Sequence, residues 1–259
     1  MDPTEDDWRP DGYRTPAVDA VLATVAAAFE VTGADTPGWP APHPGREPLE
    51  QEYSRVTDPH KYRIAGARAD AWLEALASLG IADWHDVDPT GGLWRDVGNA
   101  HPPDRARVVV PRAPGALPML LTYRNGTSGW AAGVGVSLCT GAGGPPAVSV
   151  GLAPDCGCDA CDDGSDGVLV CLDESILHVV TGRFVHVLTP THTITATETG
   201  HGWGRRMPDE YDDAAGIAGA ARDHEPDVNA LVAQARAGSS PYPHVVGGCW
   251  LPAQLPREI

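Results

Sequence analysis

Basic residues are scarce in this chain of 259 residues. It has 18 lysines and arginines, of which Lys61 is the one lysine, compared with 35 aspartates and glutamates, and the formal net charge is −17. Proteins that bind nucleic acid neutralise phosphates with clustered basic side chains, and the sequence has no such cluster, so no nucleic-acid partner is expected. The same shortage disfavours an anionic membrane surface. The acidity is interpreted as a contribution to solubility.

Long apolar runs are also missing. No window approaches the roughly 18 consecutive apolar residues that a membrane-spanning helix needs, so no membrane partner is expected. The first 14 residues, MDPTEDDWRPDGYR, are acidic and contain no apolar stretch typical of a signal peptide. We therefore expect a cytoplasmic protein with a flexible segment at residues 1–14. In a reducing compartment its six cysteines are thiols or metal ligands rather than disulfides.

Recognisable catalytic motifs are absent as well. The sequence has no G-x-S-x-G, no phosphate-binding G-x4-G-K-S/T and no H-E-x2-H, and its ten histidines form no recognisable pair. His178 and His186 are predicted to be buried core imidazoles. This favours a binding or regulatory module with an unknown protein or small-molecule partner. The alternative is an enzyme of unknown reaction with a His/Asp site near the loops that carry Trp39 and Trp94.

The pattern along the chain predicts one α+β domain over residues 1–259. Thr15, Pro16 and Gly33 mark the two ends of a first amphipathic helix, and Gly80 ends a second. Further helices are predicted after the aspartate-rich loop and at residues 227–236. About six antiparallel strands pack against these helices, from RVVVPR, LPMLLTYRN, WAAGVGVSLC, PAVSVGLAP, RFVHVLT and HTITATE.

Two long loops rich in proline and glycine, residues 33–48 and 83–104, are predicted to emerge at opposite ends of the sheet. We expect no enclosed pocket lined by both of them. A single tryptophan in such a loop can instead pin the loop to the core.

Three sequence stretches together resemble an uncharacterised actinobacterial protein family, a domain of unknown function with a C-G-C-D-A-C-D loop. They are EYSRVTDPHKY running into ADAWLEAL, PDCGCDACDDGSD with its helix and VVTGRFVHV, and ARAGSSPYPHVVGGCWL. The resemblance covers most of the chain from about residue 51 onward. It implies a shared fold and no reaction.

The stretch DCGCDACDDGSD combines three cysteines with five aspartates. Cys156, Cys158 and Cys161 form C-x-C-x2-C, a spacing at which a tight loop can turn three sulfur atoms toward one ion. Zinc is the expected ion, held in a structural tetrahedral site. Gly157 is expected to supply an unusual backbone conformation between two ligands one residue apart. A second half of a zinc motif, such as another C-x2-C, is missing.

The fourth ligand is therefore expected from a distant part of the chain, and Cys249 is the first candidate. Cys139 is predicted at the far end of its hairpin, and Cys171 lies about 9 Å along the following helix at 1.5 Å per residue. Besides Cys249, other possible ligands are Asp159, Asp162, His192 and His201.

Two other interpretations of the loop stay open. The Cys158–Cys161 pair is a C-x2-C that could act as a thiol redox pair, although nearby aspartates are expected to keep all three thiol pKa values near or above the usual value. Alternatively, the cysteines simply pack in a tight turn. The aspartates would then stabilise the start of the next helix through its dipole.

Overall fold

The computed structural model describes residues 15–89, 103–127, 129–205 and 226–252. Within them lie four α-helices: α1 (Pro16–Thr32), α2 (Ile64–Ser78), α3 (Gly164–Val180) and α4 (Val228–Arg236). Thr15 caps α1 by accepting a 3.2 Å hydrogen bond from the backbone N–H of Val18. Short 3-10 turns cover Glu50–Glu52, Lys61–Arg63 and Asp159–Cys161.

The first sheet is an antiparallel meander of five strands in chain order. Its strands are β1 (Ala82–Val87), β2 (Arg105–Pro111), β3 (Met119–Arg124), β4 (Gly133–Gly141) and β5 (Gly144–Ala153). Leu121 on β3 pairs with Arg107 on β2 and with Val136 on β4, which fixes the register at the centre of the sheet. β5 then leads directly into the cysteine-rich loop.

The second sheet has four antiparallel strands in the order β8-β7-β6-β9. They are β6 (Val185–Leu188), β7 (His192–Ala196), β8 (His201–Arg205) and β9 (His244–Val246). Helix α4 packs against β6 and β9, and a small apolar core forms between them. That core contains Val185, Val187, Ile194, Ala196, Val228 and Ala235.

The predicted α+β class with antiparallel strands is confirmed, but the strands are divided between two sheets and number nine in the described residues. Three strands were not expected. β1 lies in the predicted 83–104 loop, β8 in the glycine-rich GHGWG stretch, and β9 in the PHVVGG stretch, where no strand was predicted. Three of the six residues of β1 and four of the five residues of β8 are polar or glycine, and both strands lie at sheet edges, so neither shows a strong apolar alternation.

The main core lies between α1, α2 and α3 on one side and one face of the first sheet on the other. Trp72 of α2 is completely buried there. Its indole Nε1 donates a 2.6 Å hydrogen bond to Asp173 of α3, whose carboxylate also accepts from Arg68 at 3.0 and 2.7 Å. This pairing of α2 with α3 holds the helix that follows the cysteine loop. None of the described helices is both long and apolar enough for a membrane span.

Candidate metal centre

Three cysteine side chains converge in the loop between β5 and α3, residues 155–163, which we call the cysteine loop. The Sγ atoms of Cys156, Cys158 and Cys161 all lie within 4.8 Å of one another. The Cys156 and Cys158 sulfurs are 3.3 Å apart. Cys158 is buried, whereas Cys156 and Cys161 are exposed, so an ion can reach the cluster from solvent.

The separations between the sulfurs match a thiolate metal site. In a tetrahedral zinc site with Zn–S distances of about 2.3 Å, two sulfurs lie about 3.8 Å apart. The Cys156–Cys158 separation of 3.3 Å is about 0.5 Å shorter than this value, and no pair is more than 4.8 Å apart, so small side-chain adjustments bring the three sulfurs to this spacing. The 3-10 turn Asp159–Cys161 achieves this by returning Cys161 to Cys158, with a 3.1 Å hydrogen bond from the Cys161 N–H to the Cys158 carbonyl.

Hydrogen bonds within the cluster shift the ionisation of Cys158 and Cys161 in opposite directions. Burial alone would raise the pKa of Cys158, but hydrogen bonds from Cys156 and from the backbone N–H groups of Cys161 and Ala160 together lower it. The pKa of Cys161 is raised to about 12, first by its hydrogen bond with Cys158 and then by burial. The prediction that all three thiols keep pKa values near or above the usual value is therefore wrong for Cys158. Hydrogen bonds within the loop outweigh the effect of burial there.

Asp159 attaches one side of the cysteine loop to the segment before α2. Its Oδ2 accepts from Arg55 Nε at 2.5 Å and from the Thr57 hydroxyl at 2.5 Å, and its Oδ1 accepts from the Thr57 N–H at 2.8 Å. The Asp159 N–H donates to the Arg55 carbonyl at 2.7 Å, and His43 Nε2 donates to the Asp159 carbonyl at 2.8 Å. This carboxylate is occupied in holding the loop.

Asp162 attaches the other side and is almost fully buried. Its Oδ1 accepts 2.9 Å hydrogen bonds from the Trp39 indole and from the Gly164 N–H. Its Oδ2 forms an ion pair with Lys61, whose ammonium group also lies 5.2 Å from the centroid of the Trp39 ring. The lone lysine of the chain thus supports the residue next to Cys161.

Two glycines allow the backbone to approach closely here. Gly164 has φ +84°, and a Cβ on it would lie 2.7 Å from the backbone N of Ala41. Only glycine therefore lets the 33–48 loop dock on the start of α3, where the Trp39 carbonyl accepts from the Ser165 N–H at 3.0 Å. Gly157 does not have the left-handed backbone that its place between two ligands suggested. Glycine is needed there because a Cβ would lie 2.2 Å from the Cβ of Ala131.

Cys249 is not brought to the three thiols. The neighbouring Trp250 donates its backbone N–H to the carbonyl of Val180 at 2.8 Å, which places Cys249 near the C-terminal end of α3. The cysteine loop precedes the N-terminal end of α3, and 17 residues of helix span about 25 Å. The group of close sulfurs in the described residues contains Cys156, Cys158 and Cys161 without Cys249.

The other possible ligands are also accounted for. Asp159 and Asp162 hold the loop as described, and His192 and His201 lie on β7 and β8 of the second sheet. Cys139 is buried in the first sheet, paired with Ala147, as its predicted hairpin position required.

A surface cavity of about 260 Å³ opens beside the cluster. Cys156 and Cys161 line it together with Asp155, Asp163 and Cys171. Cys171 lines the same cavity, but its Sγ faces the Leu152 carbonyl at 3.5 Å. The cavity thus brings two carboxylates and a further thiol to the solvent-exposed side of the cluster.

Sequence reasoning found the three thiols but missed the residues that hold their loop. Arg55, Thr57 and Lys61 lie in the EYSRVTDPHKY stretch, where nothing in the local pattern indicates a contact about 100 residues away. Trp39 does what a lone loop tryptophan can do and pins its loop to the core. His178 is buried as predicted, whereas His186 is only half-buried, and burial lowers the pKa of each. Trp94 lies outside the described residues, so the predicted absence of a pocket shared by the two long loops stays a prediction.

Comparison with known proteins gives a family and no activity. A family model described as a family of unknown function, DUF6226, matches residues 25–250, so the chain belongs to that family. No curated protein matches the sequence. No solved structure matches it either.

Proposed function

We propose that this member of the DUF6226 family binds one zinc ion through Cys156, Cys158 and Cys161. The ion would fix the cysteine loop within a binding or regulatory module. The observation that carries this proposal is the convergence of three thiol sulfurs within 4.8 Å at separations suited to tetrahedral coordination.

The donor set supports zinc over harder ions. Thiolates suit zinc and other soft or borderline ions, whereas magnesium and calcium are held by oxygen ligands. Two carboxylates of the loop, Asp159 and Asp162, are already occupied by Arg55, Thr57, Lys61 and Trp39. Asp155, Asp163, Cys171 and water are the candidates for the fourth ligand, since each lines or can enter the adjacent cavity.

The contacts around the cluster support a structural role. Asp159 and Asp162 tie the cysteine loop to Arg55 and Lys61, so the loop is the junction between the segment preceding α2 and the start of α3. The loop has no large apolar side chain to bury. A metal ion would replace the apolar core that such a loop cannot form, as in other small thiolate zinc sites.

A binding or regulatory role fits these contacts better than catalysis. Asp159 and Asp162 of the cysteine loop accept hydrogen bonds from several protein groups, so neither of them is poised as an acid or base. Trp39, one expected wall of an enzyme pocket, is bound to Asp162 instead. The partner in this proposal is a protein or small molecule of unknown identity.

Metal analysis of full-length protein prepared without a histidine tag tests the proposal. We expect close to one zinc per chain, loss of that zinc in Cys158→Ser, and retention in Cys249→Ser, which changes an exposed thiol far from the cluster. Chelation should lower the melting temperature of wild type by at least about 4 °C, because metal binding energy contributes to folding. It should leave that of Cys158→Ser nearly unchanged.

Other results would contradict the proposal. Wild type with no bound zinc, no uptake of added zinc, and the same melting temperature with and without chelator would exclude the metal site. A disulfide forming readily between Cys158 and either neighbour in such metal-free protein would support the thiol redox interpretation instead.

A further inference from the structure

A second cavity, distinct from the metal centre, lies where the end of α1 and the start of α2 meet the first sheet. Its volume is about 420 Å³, within the range of small-molecule sites. Thr32 and Thr36 border it on the α1 side, Gly66 and Ala67 belong to α2, and the ends of β2, β3 and β4 close it. The sequence patterns gave no indication of this cavity.

Arginine is concentrated at this cavity in a chain that has few basic residues. Arg63, Arg105 and Arg124 line it, compared with two carboxylates, Asp70 and Asp104. The lining is thus net cationic by one charge in a protein whose net charge is −17. Such a local reversal of sign attracts small anions, while the surrounding negative charge repels an extended polyanion such as nucleic acid.

Both carboxylates are engaged by protein groups. Asp70 accepts from Arg105 Nη2 at 3.1 Å and from Arg107 Nη1 at 2.9 Å. Asp104 accepts from the Asn125 N–H at 2.6 Å, and its own N–H donates to the Tyr123 carbonyl at 2.9 Å. The two acidic residues therefore shape the cavity and hold the strand ends in place.

The three arginines differ in how many hydrogen bonds and ion pairs their guanidinium groups form with the protein. Arg105 is fixed by Asp70 and stacks on the ring of Tyr123, 3.8 Å from its centroid. Arg63 donates one Nη2 hydrogen bond to the Asp35 carbonyl at 2.7 Å. Arg124 is half-buried, and its guanidinium has no hydrogen-bond or ion-pair partner within the parts of the chain that the structure describes. Burial lowers the pKa of Arg124, an effect that the charge of Asp104 only partly offsets.

From this arrangement we propose that the cavity binds the oxyanion group of a small anionic molecule, a phosphate or a carboxylate. Arg124 is the main unsatisfied donor, and Arg63 and Arg105 provide further charge. Guanidinium groups bind both kinds of oxyanion with paired, charge-assisted hydrogen bonds. The exposed side-chain amide of Asn125 at the rim can donate to a remaining oxygen, whereas the Thr32 and Thr36 hydroxyls already donate to the carbonyls of Ala67 and Gly33 at 2.8 and 2.9 Å.

Calorimetric titration of the full-length protein with inorganic phosphate and, separately, with succinate tests this site. We expect saturable binding of at least one of the two ions, weakened by added sodium chloride because the attraction is electrostatic. The ion that binds more tightly identifies the oxyanion class. Arg124→Gln should weaken binding at least tenfold, and Arg63→Gln should weaken it in the same direction.

Arg112→Gln is the matched control. Arg112 is an exposed arginine at the opposite end of β2, paired with Asp83 at 2.7 Å, so its loss should leave anion affinity unchanged. Melting temperatures of all three variants would show whether they remain folded. If neither ion binds saturably to wild type, or if Arg112→Gln weakens binding as much as Arg124→Gln, the proposal is wrong. The result does not depend on whether zinc is bound.

Discussion

The indole Nε1 of Trp39 donates a 2.9 Å hydrogen bond to Oδ1 of Asp162, the residue that follows the last cysteine of the cluster. These residues are separated by 123 positions in the sequence. Through this bond the proline-rich loop after α1 is attached to the cysteine loop and to the start of α3. The stability of the cysteine loop therefore depends on a segment that carries no cysteine.

Replacing Trp39 with phenylalanine tests this attachment. The variant keeps an aromatic ring but leaves the buried Asp162 without one of its donors, so we expect a loss of about 1–3 kcal/mol in the free energy of unfolding. Denaturant unfolding monitored by circular dichroism measures it. Trp203→Phe, at a half-exposed tryptophan on β8, is the control and should change stability by less than about 0.5 kcal/mol. Equal effects of the two variants would contradict the assigned role of Trp39.

Gly164→Ala should disturb the same junction through the backbone. The substitution places a Cβ 2.7 Å from the Ala41 nitrogen at a φ of +84°, so both the contact and the left-handed backbone become unfavourable. We expect a destabilisation of more than about 1 kcal/mol and weaker zinc retention. Gly143→Ala, where no atom lies within 4 Å of the added Cβ, is the matched control. A variant as stable as the control would show that the loop does not need this close approach.

The buried ion pair between α2 and α3 should be costly to break. In Asp173→Asn, the side chain of Arg68, only 12% exposed, loses its counter-charge, and the Trp72 indole loses a charged acceptor. We expect a loss of about 3–5 kcal/mol, measured by chemical denaturation. Asp83→Asn breaks the exposed pair with Arg112 and should have little effect. A loss no larger than that of Asp83→Asn would mean that the pair does not hold the helices together.

Stability should fall as the pH decreases from about 6.5 to about 4. Burial lowers the pKa of His178 from 6.5 to about 4, so in this window the unfolded chain binds a proton that the folded chain excludes. The loss from His178 amounts to as much as about 3 kcal/mol. Burial lowers the pKa of His186 in the same direction and adds to the effect.

Unfolding free energies measured across this pH range would show the trend. His178→Gln should flatten the profile, whereas His201→Gln, at an exposed position on β8, should not. Glu52 has a pKa lowered to about 2, mainly by its hydrogen bond with Arg46. Its contribution to stability is therefore lost only as the pH falls from 4.5 toward 2, largely below the range of the histidine effect. A His178→Gln profile as steep as that of wild type would contradict the assignment.

The sequence alone determined the features that depend on neighbours along the chain. Apolar periodicity predicted α1, α2 and α3, a last helix was predicted at the position of α4, and alternation predicted the meander from β2 to β5. The C-x-C-x2-C spacing identified the three thiols that the loop brings together. In each case the deciding interactions span a few residues, so the local pattern contains them.

Only the tertiary structure decided what surrounds those thiols. Arg55 meets Asp159, and Lys61 meets Asp162, across more than 100 residues, and no local pattern encodes such pairings. Cys249 was expected at the cluster but lies near the end of α3, because the tail packs against Val180. The arginine cavity likewise exists only where α1, α2 and three strand ends meet. Long-range packing sets these distances, and one sequence read locally does not contain them.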